Sequence, residues 1–211
     1  MSTVRLEDIV ERLQSTNPEA DVDLVRRAYI YSAKAHQGQT RLSGESYLIH
    51  PLDVAKILAE LRLDPATVAA GILHDTIEDT KTTRAELERH FGPVVASVVA
   101  EVTDEKGQSK KLRKGMQVAH APRLSGRAKL VKLADKISNL RDIVGRPPAQ
   151  WGKRRKQEYF DWAKQVVDGL RGIHPQLEAE FDRVYAMRPA SAPARSARSG
   201  AGHRAVAVKG K

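Results

Sequence analysis

An all-α fold is predicted for this chain by three features of its 211 residues. Apolar residues recur at steps of three and four through most of the length. Strand-like alternation nowhere lasts beyond about five residues. Helix start and stop signals separate the periodic stretches. Together they predict one helical bundle over 1–187, periodic from about residue 4, followed by a polar tail over 188–211.

The elements follow in order. "VRLEDIVERLQ" places Val4, Leu6, Ile9, Val10 and Leu13 on one helical face. "PEADVDLVRRAYIYSAKAH" forms the next helix, with Pro18 near its start and Val22, Val25, Ala28, Tyr29 and Ser32 at helical steps. The loop "QGQTRLSGES" breaks the pattern with two glycines and leaves room for one short β-hairpin within 37–48. "PLDVAKILAELRL" resumes, with Pro51 suited to a first turn. Asp64-Pro65 is a start signal, the aspartate as cap and the proline at the first helical position. "TRAE" at 83–86 has the capping-box pattern, and Gly92-Pro93 ends that helix and begins another. "SGRAKLVKLADKISNLRDI" carries Leu130, Leu133, Ile137, Leu140 and Val144 on its apolar face. "KQEYFDWAKQVVDGL" and "PQLEAEFDRVYAM" complete the bundle.

Composition narrows the chemistry. There is no cysteine, which excludes disulfides, thiolate metal sites and cysteine nucleophiles. Any metal must be held by His, Asp, Glu or backbone oxygen, favouring Mn, Mg, Fe or Zn. No apolar run approaches the roughly 20 residues of a membrane span, and "MSTVRLEDIV" lacks a secretory pattern. A cytoplasmic location without membrane contact is the expectation. Six of the ten net positive charges lie between Arg188 and Lys211, where there is no acid. Their Ala/Ser/Pro/Gly-rich setting predicts a disordered extension. Lacking aromatics and any folded motif, it gives no reason to expect a specific nucleic-acid partner.

"GILHDTIEDT", residues 71–80, sets His74, Asp75, Glu78 and Asp79 directly after an apolar run. On a continuous helix at about 100° per residue, the three carboxylates fall within about 140° of the imidazole, opposite Ala70, Leu73 and Ile77. Grouped polar side chains of this kind suit either a solvated helix end or part of a metal site. Two further stretches add candidates. "YLIHP" puts His50 just before Pro51, and in "LVKLADKISNL" Asp135 and Asn139 lie one turn apart, away from the leucine face.

In that order, His50, His74-Asp75 and Asp135 resemble the ligand set of HD-domain metal-dependent phosphohydrolases. "RLSGESYLIHP", "GILHDTIEDT", "FGPVVASVVAEVTDEK" and "AKLVKLADKISNLRDI" narrow the resemblance to the hydrolase domain of the RelA/SpoT family. They are most similar to its stand-alone members, the small alarmone hydrolases or metazoan SpoT-like hydrolases. "KGMQVAHAP" and "QEYFDWAKQVVDGL" extend the match, which runs from about 20 to 187.

The resemblance implies one divalent ion, usually Mn2+, held by His50, His74, Asp75 and Asp135. It implies Glu78 and Asp79 as catalytic carboxylates that orient water, accept its proton or donate to the leaving oxygen. The implied substrate is guanosine 5′-diphosphate (or triphosphate) 3′-diphosphate, cleaved at the 3′ position to pyrophosphate and GDP or GTP. Arg41, Ser43, Lys110, Asn139, Arg155 and Tyr159 match substrate-contacting positions. His36 is expected to be structural. Three departures stand out: Leu42 where the family usually has lysine, Ser46 where proline is common, and the basic tail. The alternatives are a phosphatase for the 2′-phosphate of NADPH, an HD-fold hydrolase of another nucleotide, and an alarmone-binding module without turnover. A chain of this length has no room for the synthetase and regulatory domains of long RelA/SpoT proteins, so synthesis is expected from another chain.

Overall fold

The computed structural model describes residues 4–41, 44–105 and 107–190, and they form a helical bundle. The helices are α1 (Leu6–Thr16), α2 (Val22–Ala35), α3 (Ile49–Glu60), α4 (Pro65–Leu73), α5 (Thr76–Asp79), α6 (Arg84–Val102), α7 (Lys110–His120), α8 (Gly126–Gly145), α9 (Lys153–Asp168) and α10 (Pro175–Tyr185). Among the described residues no helix is long and apolar enough to cross a membrane.

Two helices are central. α4 is buried from Thr67 to Leu73, which its run of small and branched apolar residues permits, and it packs against α2, α3, α6 and α8. A Cβ placed on Gly71 would lie 2.6 Å from Leu58 Cδ1, so the absent side chain lets α3 and α4 approach closely. α8 is the other central helix, in contact with α3, α4, α6, α9 and α10. Leu133, Ile137 and Leu140 are fully buried as their spacing predicts. Val144 instead stands exposed and Ile143 takes the inward position. Because α8 has neighbours on several sides, its buried surface is wider than one stripe.

Local signals set the boundaries. Asp64 accepts from Thr67 N at 3.2 Å with Pro65 at the first helical position. Thr83 and Glu86 close the capping box. Gly92, at φ 81°, interrupts α6 just before Pro93, a conformation that favours glycine. α2 begins later than Pro18, because Asp21 caps it through Leu24 N at 3.0 Å while Asn17–Ala20 forms a turn. Among the described residues, the hairpin expected in 37–48 reduces to one antiparallel bridge, Thr40 to Ser46. Leu42 and Ser43 lie outside the described residues, as does the tail beyond 190. The basic run ahead of Gly115 is largely helical, forming α7 with Ser109 as its cap. After α10, Arg188 pairs with Asp161 through two 2.7 Å contacts, which holds the chain against α9.

Candidate active site

The polar residues singled out in the sequence converge where α3, α4 and α8 meet. His50 sits in the first turn of α3, His74 directly after α4, and Asp135 in mid-α8, all three buried. One ligand atom from each lies within 4.8 Å of the others. His50 Nε2 is 3.2 Å from Asp135 Oδ1, and His74 Nε2 is 3.8 Å from the same oxygen. Asp75 stands beside this triad, Oδ1 at 3.1 Å from His74 Nε2 and Oδ2 at 3.9 Å from His50 Nε2.

The helix assumed through 71–80 is in fact broken. α4 stops at Leu73, His74 and Asp75 form a turn, and α5 restarts at Thr76. Thr76 Oγ1 donates to the Leu73 carbonyl at 2.6 Å, tying the two pieces together. Both turn residues keep right-handed helical dihedrals, so the convergence of His74 and Asp75 survives the break. Glu78 faces the adjoining cavity, whereas Asp79 is exposed and lies outside the lining.

The donor set fits a metal ion. His74 Nδ1 is 2.8 Å from the Gly71 carbonyl, which makes that nitrogen the N–H donor and leaves Nε2 with its lone pair. His74 Nε2 is buried and has no hydrogen-bond partner. A buried nitrogen lone pair facing carboxylates and a second imidazole is an arrangement that a divalent cation satisfies. His50 is oriented in parallel fashion, Nδ1 lying 3.1 Å from Ser138 Oγ. With no ion bound, burial pushes the His74 imidazole down, but Asp75, Asp135 and the Gly71 carbonyl outweigh it and raise it to about 9, so an ion at Nε2 would take the place of a proton there. Burial alone would raise Asp75 and Asp135. Their cationic partners, His74 for the one and Lys136 for the other, hold both below the ordinary carboxylate value.

Beyond the cluster opens a cavity of about 450 Å³. Of the substrate positions implied by resemblance, Arg41, Lys110, Asn139 and Tyr159 line it. Arg41 donates to Asn139 Oδ1 at 2.9 Å and pairs with Asp142 at 3.2 Å, while Asn139 donates its amide to Asp135. Arg155 is outside the lining, its guanidinium carbon 4.5 Å above the Trp151 ring. His36 is buried and stacks on Tyr47.

Several lining residues escaped the sequence reading. Lys132 and Lys136 are buried on α8, the former donating to the Val102 carbonyl at 2.8 Å and the latter to Asp135 at 3.0 Å. Their position beside Asp135 was the only available signal, because lysine on a helix is ordinarily exposed. Lys114 Nζ and Lys136 Nζ lie 4.5 and 4.4 Å from the Trp162 ring centroid. Trp162 also donates its indole N–H to the Lys114 carbonyl at 3.1 Å, anchoring α7 to α9. Arg113 reaches Glu78 at 2.6 Å. Despite that contact, burial and the carboxylates of Asp104, Asp75 and Asp79 raise Glu78 above its ordinary value.

Residues 28–161 match the family described as HD domain, which is the class of protein this chain falls in. Curated relatives share most of the chain. The Guanosine-3′,5′-bis(diphosphate) 3′-pyrophosphohydrolase MESH1 of Xenopus tropicalis is 46% identical over 170 residues, covering 79% of this chain and 95% of that protein. The Homo sapiens protein of the same name is 46% identical over 162 residues, covering 75% and 90%. A solved structure, of a metazoan ortholog of SpoT said to hydrolyse ppGpp and to play a role in starvation responses, aligns with a TM-score of 0.75. It is 39% identical and covers 78% of this chain and 95% of that one. The chain therefore belongs to the HD-domain family and, within it, to the group of these MESH1 relatives.

Proposed function

We propose that this chain hydrolyses guanosine 3′,5′-bis(diphosphate) and its pentaphosphate analogue at the 3′ position, releasing pyrophosphate and GDP or GTP. The observation that carries the reading is a four-residue His/Asp cluster lining one cavity together with several lysine and arginine side chains. Relatives at 46% identity carry this activity in their names.

His50, His74, Asp75 and Asp135 would hold one divalent ion, and Mn2+ is the ion we assign. When bound, such an ion lowers the pKa of water and screens charge developing on the phosphoryl group. The protein's own groups do the rest. Glu78, with its raised pKa and its place on the cavity wall, is suited to take a proton from the attacking water. Attack at the phosphorus on the 3′ oxygen breaks that P–O bond, and the departing oxygen takes up a proton as the 3′-hydroxyl. Asp79 is the second carboxylate, at the end of α5.

A substrate with two diphosphates needs compensation along its length. Lys110, Lys114, Lys136 and Arg41 line the cavity as cations, while Trp151, Tyr159 and Trp162 form an apolar wall. Arg155 and Ser43 complete the proposed contacts, the arginine from beside Trp151. On half-buried Tyr159, loss of solvent around the hydroxyl, with Asp135 and Asp75 adding to it, pushes its pKa up to about 12, so it remains a hydrogen-bond donor. The catalytic unit is assigned to 1–187, with the basic tail as an extension of it, and the site of action to the cytoplasm.

The test is to strip the protein of metal, restore Mn2+, and supply guanosine tetraphosphate and NADPH separately, resolving products by ion exchange. The expected result is Mn2+-dependent GDP plus pyrophosphate. Phosphate released from NADPH alone would move the function to cofactor dephosphorylation. Metal binding without turnover of either substrate would overturn the assignment as an enzyme on both.

A further inference from the structure

Tyr47 joins two groups to which the proposed function gives separate tasks. Its hydroxyl lies 2.8 Å from Asp75 Oδ2 and also within hydrogen-bonding distance of Asp79 Oδ2. A phenol has one proton, so only one of these carboxylates receives it at a time. Between two carboxylates, which offer only acceptors, the phenol is the donor to whichever it bonds.

The ring is held so that this hydroxyl is aimed. It stacks on buried His36, centroids 4.3 Å apart and planes 15° from parallel. His36 Nδ1 lies 2.8 Å from Gln39 Oε1, and Gln39 Nε2 donates to the Asp79 carbonyl at 3.1 Å. Tyr47 N donates to the Gln39 carbonyl at 3.3 Å, beside the Thr40–Ser46 bridge. A single loop thus supports the phenol from below and ties the backbone of Asp79 to the same support.

Drawing the charge of Asp75 toward a cation weakens its claim on the phenolic proton. The hydroxyl would then turn its hydrogen bond to Asp79, whose side chain is exposed at the end of the short α5, with the proton remaining on the phenol. We propose that Tyr47 is a positioning residue that couples the loading of the metal ligand Asp75 to the orientation of Asp79. This inference rests on the reading of His50, His74, Asp75 and Asp135 as an ion site.

Tyr47→Phe removes one oxygen and keeps the ring and its stacking. The Mn2+ dissociation constant is measured by titration calorimetry on the metal-free chain, and kcat and KM for guanosine tetraphosphate at saturating Mn2+. Loss of a hydrogen-bond partner to a ligand carboxylate is expected to weaken Mn2+ binding about 10-fold and to lower kcat about 10-fold or more. KM should stay within about twofold. 3-Fluorotyrosine at position 47 retains the hydroxyl and should restore both values to within about threefold of the parent. A second comparison does not need the phenylalanine variant to fold. Asp79→Asn should shift the Mn2+ dissociation constant about threefold more than Glu78→Gln, which removes an equal charge one residue away.

Unchanged metal affinity and kcat in Tyr47→Phe would overturn the proposal. So would a loss confined to KM, which would make Tyr47 a substrate contact. So would a fluorotyrosine variant as impaired as the phenylalanine one, or equal shifts in the two carboxylate variants. Calorimetry requires no turnover. A parent chain that binds Mn2+ without cleaving guanosine tetraphosphate would therefore refute the proposed function, while the affinities still judge the link from Tyr47 to Asp75.

Discussion

Gly71→Ala tests whether the close approach of α3 and α4 builds the site. The added Cβ would meet Leu58 Cδ1 at 2.6 Å and Val54 Cγ1 at 3.4 Å. The first pair would have to separate by about 1 Å to reach the ~3.5–4.0 Å of favourable carbon contact. Leu58 is fully buried, so its side chain has no solvent into which to retreat. Overpacking of this kind costs about 1–3 kcal/mol. The better helix propensity of alanine returns about 1 kcal/mol. A net loss of about 1 kcal/mol is expected, which lowers Tm by about 2–4 °C in a domain of this size.

The strain also reaches the His/Asp cluster. α3 carries His50, and the Gly71 carbonyl orients His74, with the two imidazole rings 5.1 Å apart. Displacing α4 from α3 should therefore weaken Mn2+ binding together with stability. Thermal melts by circular dichroism and metal titration read the two effects. Leu58→Val shortens the opposing side chain, so Gly71→Ala should cost less in that background than in the parent. If Gly71→Ala melts at or above the parent temperature and binds Mn2+ equally well, the account of helix spacing is wrong.

Other variants probe the chemistry and the caps. Glu78→Gln and Asp79→Asn should each nearly abolish turnover, by about 10²–10⁴-fold for loss of a general base, with melting close to the parent and full metal content at saturating Mn2+. Either variant retaining over half the parent rate would remove the assigned role. Chelation should abolish turnover reversibly. Withdrawing Mn2+ from about 100 times its dissociation constant should lower stability by about 2.7 kcal/mol, and a melt insensitive to chelator and to added Mn2+ would rule out the ion site. Asp64→Ala removes the α4 cap at a cost of about 1 kcal/mol. Burial opposes ionisation of Asp64, but the Thr67 hydrogen bonds and Arg127 prevail and lower its pKa below 3.8. The folded state therefore binds this proton less readily than the unfolded chain, so the cap contributes fully above pH 3.8 and is lost as pH falls through the lower folded value. Denaturant melts of parent and variant should converge in that acidic range, and a constant difference across it would contradict the capping role.

The sequence by itself determined the helical class and most of the boundaries. Asp64-Pro65, Thr83–Glu86 and Gly92-Pro93 act through backbone hydrogen bonds and dihedral limits within a few residues, which makes them legible without a fold. The ordered His50, His74-Asp75 and Asp135 set was legible because it lies in short recognisable motifs. Tertiary packing decided the rest. Val144 and Ile143 differ by one position on a helix, and only the neighbours of α8 determine which is buried. Lys132 and Lys136 read as ordinary surface lysines until the Val102 carbonyl and Asp135 appear beside them. Nothing local distinguishes Tyr47 from a core tyrosine, since the two carboxylates it touches come from 28 and 32 residues further along. Caps and periodicity are properties of neighbouring residues. The burial that retunes a lysine or aims a phenol arises only when distant helices exclude water from the same space.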